Sequence, residues 1–162
     1  MELARPTWTL AVDETEQAAS PDGGWTDFVR FATAGDWGVV TARRADSNAR
    51  LSLRFNRVYG LLEYRASDDG PVWVAQFSNR HPITEQDVEL PCCGCGIPLV
   101  VRGGCVLRKV NAVRLFLQYL DGGALPTTLE EPPQALPQLI LPGTEAFLVP
   151  AAVFNAVDWQ PP

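Results

Sequence analysis

Apolar and polar positions alternate most clearly over residues 50–58, where Leu51, Leu53 and Phe55 fall on one side and Ser52, Arg54 and Asn56 on the other. A period of two is the mark of a β-strand with one buried face. Shorter strand-like stretches lie around it: Trp8, Leu10 and Val12, then Trp37 to Thr41, Leu61 to Ala66 and Val72 to Phe77. The four later segments are joined by Asp46-Ser47-Asn48, by Gly60 and by Asp68-Asp69-Gly70-Pro71, all turn-forming residues. Links this short between successive strands predict an antiparallel meander.

Helical spacing occurs twice. Trp25, Phe28, Val29 and Ala32 predict a short helix with Thr26 as N-cap and Gly35 as its stop. Val106 to Leu120 predicts a longer helix ended by Gly122-Gly123. Its stripe of Val106, Val110, Val113, Leu117 and Leu120 is expected to lie on the sheet. Leu115 and Tyr119 fall on a second face beside Arg108 and Ala112, to be covered by a partner or by the chain's own tail. Between the two helices, residues 79–105 hold three prolines and four glycines and predict an irregular excursion, with Ile97 to Val101 as an edge strand. Residues 124–162 carry eight of the fourteen prolines. Yet Leu139-Ile140-Leu141, Phe147-Leu148-Val149 and Val153-Phe154 are too apolar for a free linker, so this tail is expected to pack over Leu115 and Tyr119, with Pro150 opening a short helix through Val157. The expected fold is α+β: a mostly antiparallel four- or five-stranded sheet packed against a long C-terminal helix. It occupies residues 1–130, with a proline-rich extension over 131–162 packed on it.

Composition narrows the class. A chain of 162 residues with 46% hydrophobic and 20% charged residues folds as one domain and is not a disordered segment. It has no run of eighteen apolar residues, and its start, MELARPTWTL, lacks the long apolar core of a secretory signal. These features suit a cytoplasmic protein with no membrane partner. The net charge of −6 is unevenly spread: −5 over residues 1–27, +4 over 28–114 and −5 over 115–162. Such an acidic chain is a poor binder of nucleic acid, whose phosphates need clustered Lys and Arg. Its field would instead steer a basic partner.

Several residue groups are of types that carry chemistry. Cys92, Cys93, Cys95 and Cys105 lie within fourteen positions, and Cys92-x-x-Cys95-Gly has the spacing of a zinc knuckle. Cys92, Cys95, Cys105 and His81 would supply four zinc ligands, although no second C-x-x-C exists. A disulfide such as Cys95 with Cys105 in an oxidising compartment, and reduced thiols in a loop, are the other readings. His81 is the single histidine, and no nucleophile signature accompanies it. Gly103-Gly104 and Gly122-Gly123 lack the spacing and the Lys-Ser/Thr of a phosphate loop. Arg54, Arg57 and Arg65, with Tyr59 and Tyr64, read as an arginine-decorated solvent face rather than an RNA platform. No catalytic constellation emerges, so the chain reads as a binding protein and not an enzyme, with no required cofactor.

One resemblance extends this reading. The order helix, antiparallel strands, Gly/Pro-broken stretch and long late helix resembles small immunity proteins of bacterial toxin systems. Ile97-Pro98, then Asn111-Ala112-Val113-Arg114-Leu115-Phe116-Leu117-Gln118-Tyr119-Leu120 and Gly123-Ala124-Leu125-Pro126-Thr127-Thr128-Leu129, are similar to the end of the immunity family guarding deaminase toxins. That family closes with a proline, an "AV..F" helix and a "G..P..L-W" strand. Glu130 stands where its final tryptophan would be, and 32 residues follow. The resemblance implies a cytoplasmic inhibitor that binds a cognate, basic toxin and occludes its active site. Acidic loops at Asp68-Asp69 and at Glu85, Asp87 and Glu89 would then enter the basic cleft. The alternative is a small zinc-stabilised binding module centred on residues 81–105.

Overall fold

The computed structural model describes residues 8–13, 15–16, 25–44, 48–70, 72–77, 84, 86–92, 97–101, 103, 106–122, 127–128, 139–140 and 146–150. Its centre is the expected meander of β3 (Trp37–Arg44), β4 (Arg50–Asn56), β5 (Tyr59–Arg65) and β6 (Trp73–Phe77). The register sets Val40 opposite Leu53 and Leu53 opposite Leu62, so apolar side chains of neighbouring strands share one face. β1 (Trp8–Val12) pairs with β3, and the two-residue β2 (Thr15–Glu16) pairs with β1. Asp13 ends β1 at a φ of +47°, a backbone region Asp tolerates. There its N–H donates to the Val39 carbonyl, and its carboxylate accepts from the Val39 N–H at 2.9 Å.

The sheet is wider than four or five strands. Among the described residues it has ten, because β9 (Leu107–Arg108) joins β5 and a chain of β10 (Thr127–Thr128), β11 (Leu139–Ile140) and β12 (Ala146–Pro150) extends it beyond β6. All of its pairings are antiparallel. Two-residue strands are too short to show a period, and β12 pairs with a strand about seventy residues earlier, which no local pattern reveals. Pro150 is therefore the end of a strand and not the start of a helix. Residues 151–157 lie outside the described residues.

One face of the sheet carries two helices. α1 (Thr26–Ala32) begins one residue earlier than a Thr26 cap requires: Trp25 holds the N-cap position and Thr26 is helical. Val29 is buried beneath α1, and Trp25 stacks edge-on with Phe28 at 5.5 Å. α2 (Lys109–Gly122) starts three residues after the expected position, since Leu107 and Arg108 are drawn into a strand against Tyr59 and Gly60. Gly60 permits this close approach, because a Cβ there would stand 2.6 Å from the Ala112 Cβ.

The stripe on α2 that meets the sheet is also corrected. Ala112, Leu115, Phe116, Tyr119 and Leu120 are buried with Leu51, Leu53, Phe55, Leu62 and Tyr64, whereas Val110 is 71% exposed. The two candidate stripes compete, and the one with larger aromatic area faces inward. Leu115 and Tyr119 are thus 1% and 3% exposed and offer no surface to a partner. Tyr119 is met edge-on by two rings of the sheet, Trp8 at 5.3 Å and Tyr64 at 5.9 Å, so the sheet itself covers the face assigned to the tail. Burial raises both tyrosine hydroxyls above their ordinary pKa, Tyr119 the further.

The other face carries a hairpin in place of the expected irregular stretch. β7 (Val88–Pro91) and β8 (Pro98–Val101) pair as a separate two-stranded sheet. Val88, Leu90, Leu99 and Val101 bury against Leu61, Val72, Val74 and Val106 in a second core. Among the described residues no helix is long and apolar enough to cross a membrane.

Candidate functional site

Arg54 and Glu63 face the hairpin from β4 and β5. They are 3% and 6% exposed and joined by a 2.5 Å bond from Arg54 Nε to Glu63 Oε1. Arg54 Nη1 also donates to the carbonyls of Pro91, at 3.1 Å, and Cys92. The residue is therefore an internal clamp, not part of an arginine-decorated solvent face. Burial raises the Glu63 carboxyl above its ordinary pKa, while the charge and hydrogen bond of Arg54 oppose that rise.

A second clamp lies at the end of the same strand. Asn56 Oδ1 accepts from the N–H groups of Val58 and Tyr59 at 2.8 and 2.7 Å, shaping the β4–β5 turn. Its Nδ2 donates to the Glu89 carbonyl at 3.0 Å and so ties β7 to that turn. With Val88 and Leu90 directed into the core, strand alternation turns Asp87 and Glu89 outward, and both are exposed.

These constraints frame an open groove of about 380 Å³ lined by Trp37, Asn56, Tyr59, Thr84, Gln86, Asp87 and Glu89. Trp37 is 51% exposed at the start of β3, directly opposite Asn56. Among the described residues the charged side chains lining the groove are both carboxylates, and two aromatic rings stand with them. Val58 and Val110 add exposed apolar surface at this end of the sheet, joined through the Lys109 N–H, which donates to the Val58 carbonyl. Arg57 and Arg108 are exposed on neighbouring positions. Carboxylates beside aromatic faces suit a guanidinium or ammonium group, through ion pairing and cation–π attraction.

The remaining sequence candidates are dispersed. Asp68 is ion-paired with Arg50 at the opposite end of β4, and Asp69 is exposed beside it. Neither belongs to the groove. Glu85, His81, Cys93, Cys95 and Cys105 lie outside the described residues. Cys92 is a half-buried free thiol, and among the described residues no group of three or more His, Cys, Asp or Glu side chains is placed to hold a metal. Trp37, Asn56 and Tyr59 join the groove without a sequence motif; a tryptophan opening the Trp37–Thr41 strand pattern is the one signal the residues offer. No protein-family model matches the chain, and no curated protein or solved structure matches it.

Proposed function

We propose that this chain is an immunity protein that binds and neutralises a basic bacterial toxin, with the Trp37–Tyr59–Asp87–Glu89 groove as its docking point. The observation that carries the reading is the groove itself: two outward carboxylates and two aromatic rings on a rigid strand framework. Exposed aromatic and apolar residues beside paired charges are the composition of protein interfaces. The acidic net charge of −6 supports fast capture of a basic partner, and the resemblance to toxin-guarding proteins supports its class. Binding by this route is reversible and calls on no catalytic group.

The test is to recover the partner with the tagged full-length chain from its native cells, then measure association and protection of growth. A stoichiometric partner with a basic toxin domain is expected. Asp87→Lys together with Glu89→Lys should slow its association about tenfold or more at low salt and abolish protection. Trp37→Ala should speed dissociation with little loss of fold stability. A toxin partner captured at an unchanged rate by the double variant would move the interface elsewhere. Absence of any toxin partner would overturn the immunity reading.

A further inference from the structure

At the end of the sheet opposite the groove, three arginines stand in one cross-strand row. Arg43 on β3 opposes Arg50 on β4, and Arg50 opposes Arg65 on β5. Like charges placed directly opposite destabilise a sheet unless an anion lies between them. Here the anion is Asp68, from the turn after β5. Its carboxylate pairs with Arg50 Nη2, and its backbone carbonyl accepts from Arg65 Nη1 at 3.3 Å. Arg50, foremost, and also Arg43 and Arg65 hold the Asp68 carboxyl below its ordinary pKa, so the three guanidinium groups act on one point. Asp69, next along the turn, makes neither an ion pair nor a hydrogen bond to the row among the described residues.

Donors in this row greatly outnumber acceptors. Each guanidinium offers five N–H groups. Among the described residues the row spends two, both on Asp68. Arg50 Nε is buried and without an acceptor among the described residues. It borders a small open cleft of about 30 Å³ lined by Arg50, Ser52, Glu63, Tyr64, Arg65 and Val72. The carboxylate in that lining, Glu63, is committed to Arg54. The Ser52 hydroxyl, 3.3 Å from that of Thr41, adds a neutral donor beside the guanidinium groups.

We propose that the Arg43–Arg50–Arg65 row is an oxyanion site that takes the phosphate group of a small ligand, with Asp68 as the internal carboxylate it displaces. Forked guanidinium groups match the tetrahedral oxygens of phosphate, and Arg50 and Arg65 are placed to donate from adjacent strands. The row lies about 20 Å from Trp37, six residues along β3. It is therefore independent of the docking groove and of the immunity reading.

The test is a titration of the full chain with inorganic phosphate, followed through the arginine Nε–H resonances, against chloride at equal ionic strength. Saturable shifts at Arg50 and Arg65 are expected with phosphate alone. Asp68→Asn should tighten phosphate binding about tenfold by removing the internal competitor, and Arg65→Gln should weaken it by a similar factor. Arg43→Gln, at an exposed position that leaves the fold intact, should weaken it severalfold and tests the row even if another variant fails to fold. Shifts that do not saturate, or that chloride reproduces in both the wild-type chain and Arg43→Gln, would overturn the proposal and leave the row as a clamp on the 66–69 turn.

Discussion

Replacing Arg54 by Met tests how the hairpin is held to the sheet. The substitution keeps an unbranched side chain of similar length but removes the cation that faces Glu63, a carboxylate only 6% exposed. Breaking a buried ion pair from one side costs about 3–5 kcal/mol, because the remaining charge stays buried without compensation. The Pro91 and Cys92 carbonyls lose their donor as well. Each such loss is worth about 1–3 kcal/mol if water stays out, but a loosened hairpin admits water, so the terms overlap. A total of about 3–5 kcal/mol is a large share of the roughly 5–15 kcal/mol that stabilises an ordinary domain. The deficit should also depend on pH. Burial already raises the Glu63 carboxyl, and Arg54 supplies the leading opposing effects, so its removal raises that carboxyl further. A carboxyl raised on folding contributes stability below its unfolded pKa and loses it as pH rises through the folded value. The variant should therefore be weakest near neutral pH and approach the wild type as the solution is acidified. Urea unfolding at several pH values measures this, and amide exchange at Leu90 and Leu99 reports whether the hairpin opens first. Adding Glu63→Gln should recover most of the loss. A deficit below about 1 kcal/mol, or one constant across pH, would refute a buried and mutually dependent pair.

Three further outcomes follow from packing and charge. Gly60→Ala would drive a Cβ to 2.6 Å from that of Ala112, so calorimetry should show a lower Tm and a loss of about 1–3 kcal/mol. Leu115→Ala should cost about 2–5 kcal/mol in denaturant unfolding, while the association rate of the remaining folded protein with any partner stays unchanged, because Leu115 is internal. The Asp68 carboxyl should titrate below the usual carboxylate range and move back toward it in Arg50→Gln, as followed by carboxyl NMR. Its contribution to stability stands above the unfolded pKa and disappears as pH falls through the depressed folded value.

How much was legible in the residues depended on whether a feature was local. Leu51, Leu53 and Phe55 announced their face because period-two alternation acts within one strand, and the turn at 66–70 carried its own chemistry; the β4–β5 turn instead falls at 57–58, and Gly60, expected to make it, pairs with Phe55 inside β5. The inward stripe of α2 was misread because Val110 and Leu115 are both apolar, and only the sheet decides which set it covers. Arg54 looked like a solvent-facing residue because its burial depends on β7, about 35 positions later in the chain. Asp87 and Glu89 were singled out from charge alone. Their alliance with Trp37 and Tyr59 required Asn56 to fasten β7 at Glu89 to the β4–β5 turn, a long-range bond without a sequence signature. The arginine row was hidden likewise: Arg43, Arg50 and Arg65 become neighbours only through strand register.

The pairing of β12 with β6 gives the chain a timetable during synthesis. From Phe77 to Ala146 lie about seventy residues, so at roughly 5–20 residues per second the ribosome needs about 4–15 s to supply the partner of β6. Throughout that interval the meander can form, since each of its pairings joins segments close in sequence. The outer edge of β6, however, must wait with its N–H and C=O groups unpaired. An open edge is a template for another chain, and neighbouring nascent copies on one message are the nearest candidates. Codon choice that slows translation between positions 78 and 146 should therefore increase aggregation of the newly made protein, without altering the stability of the finished molecule.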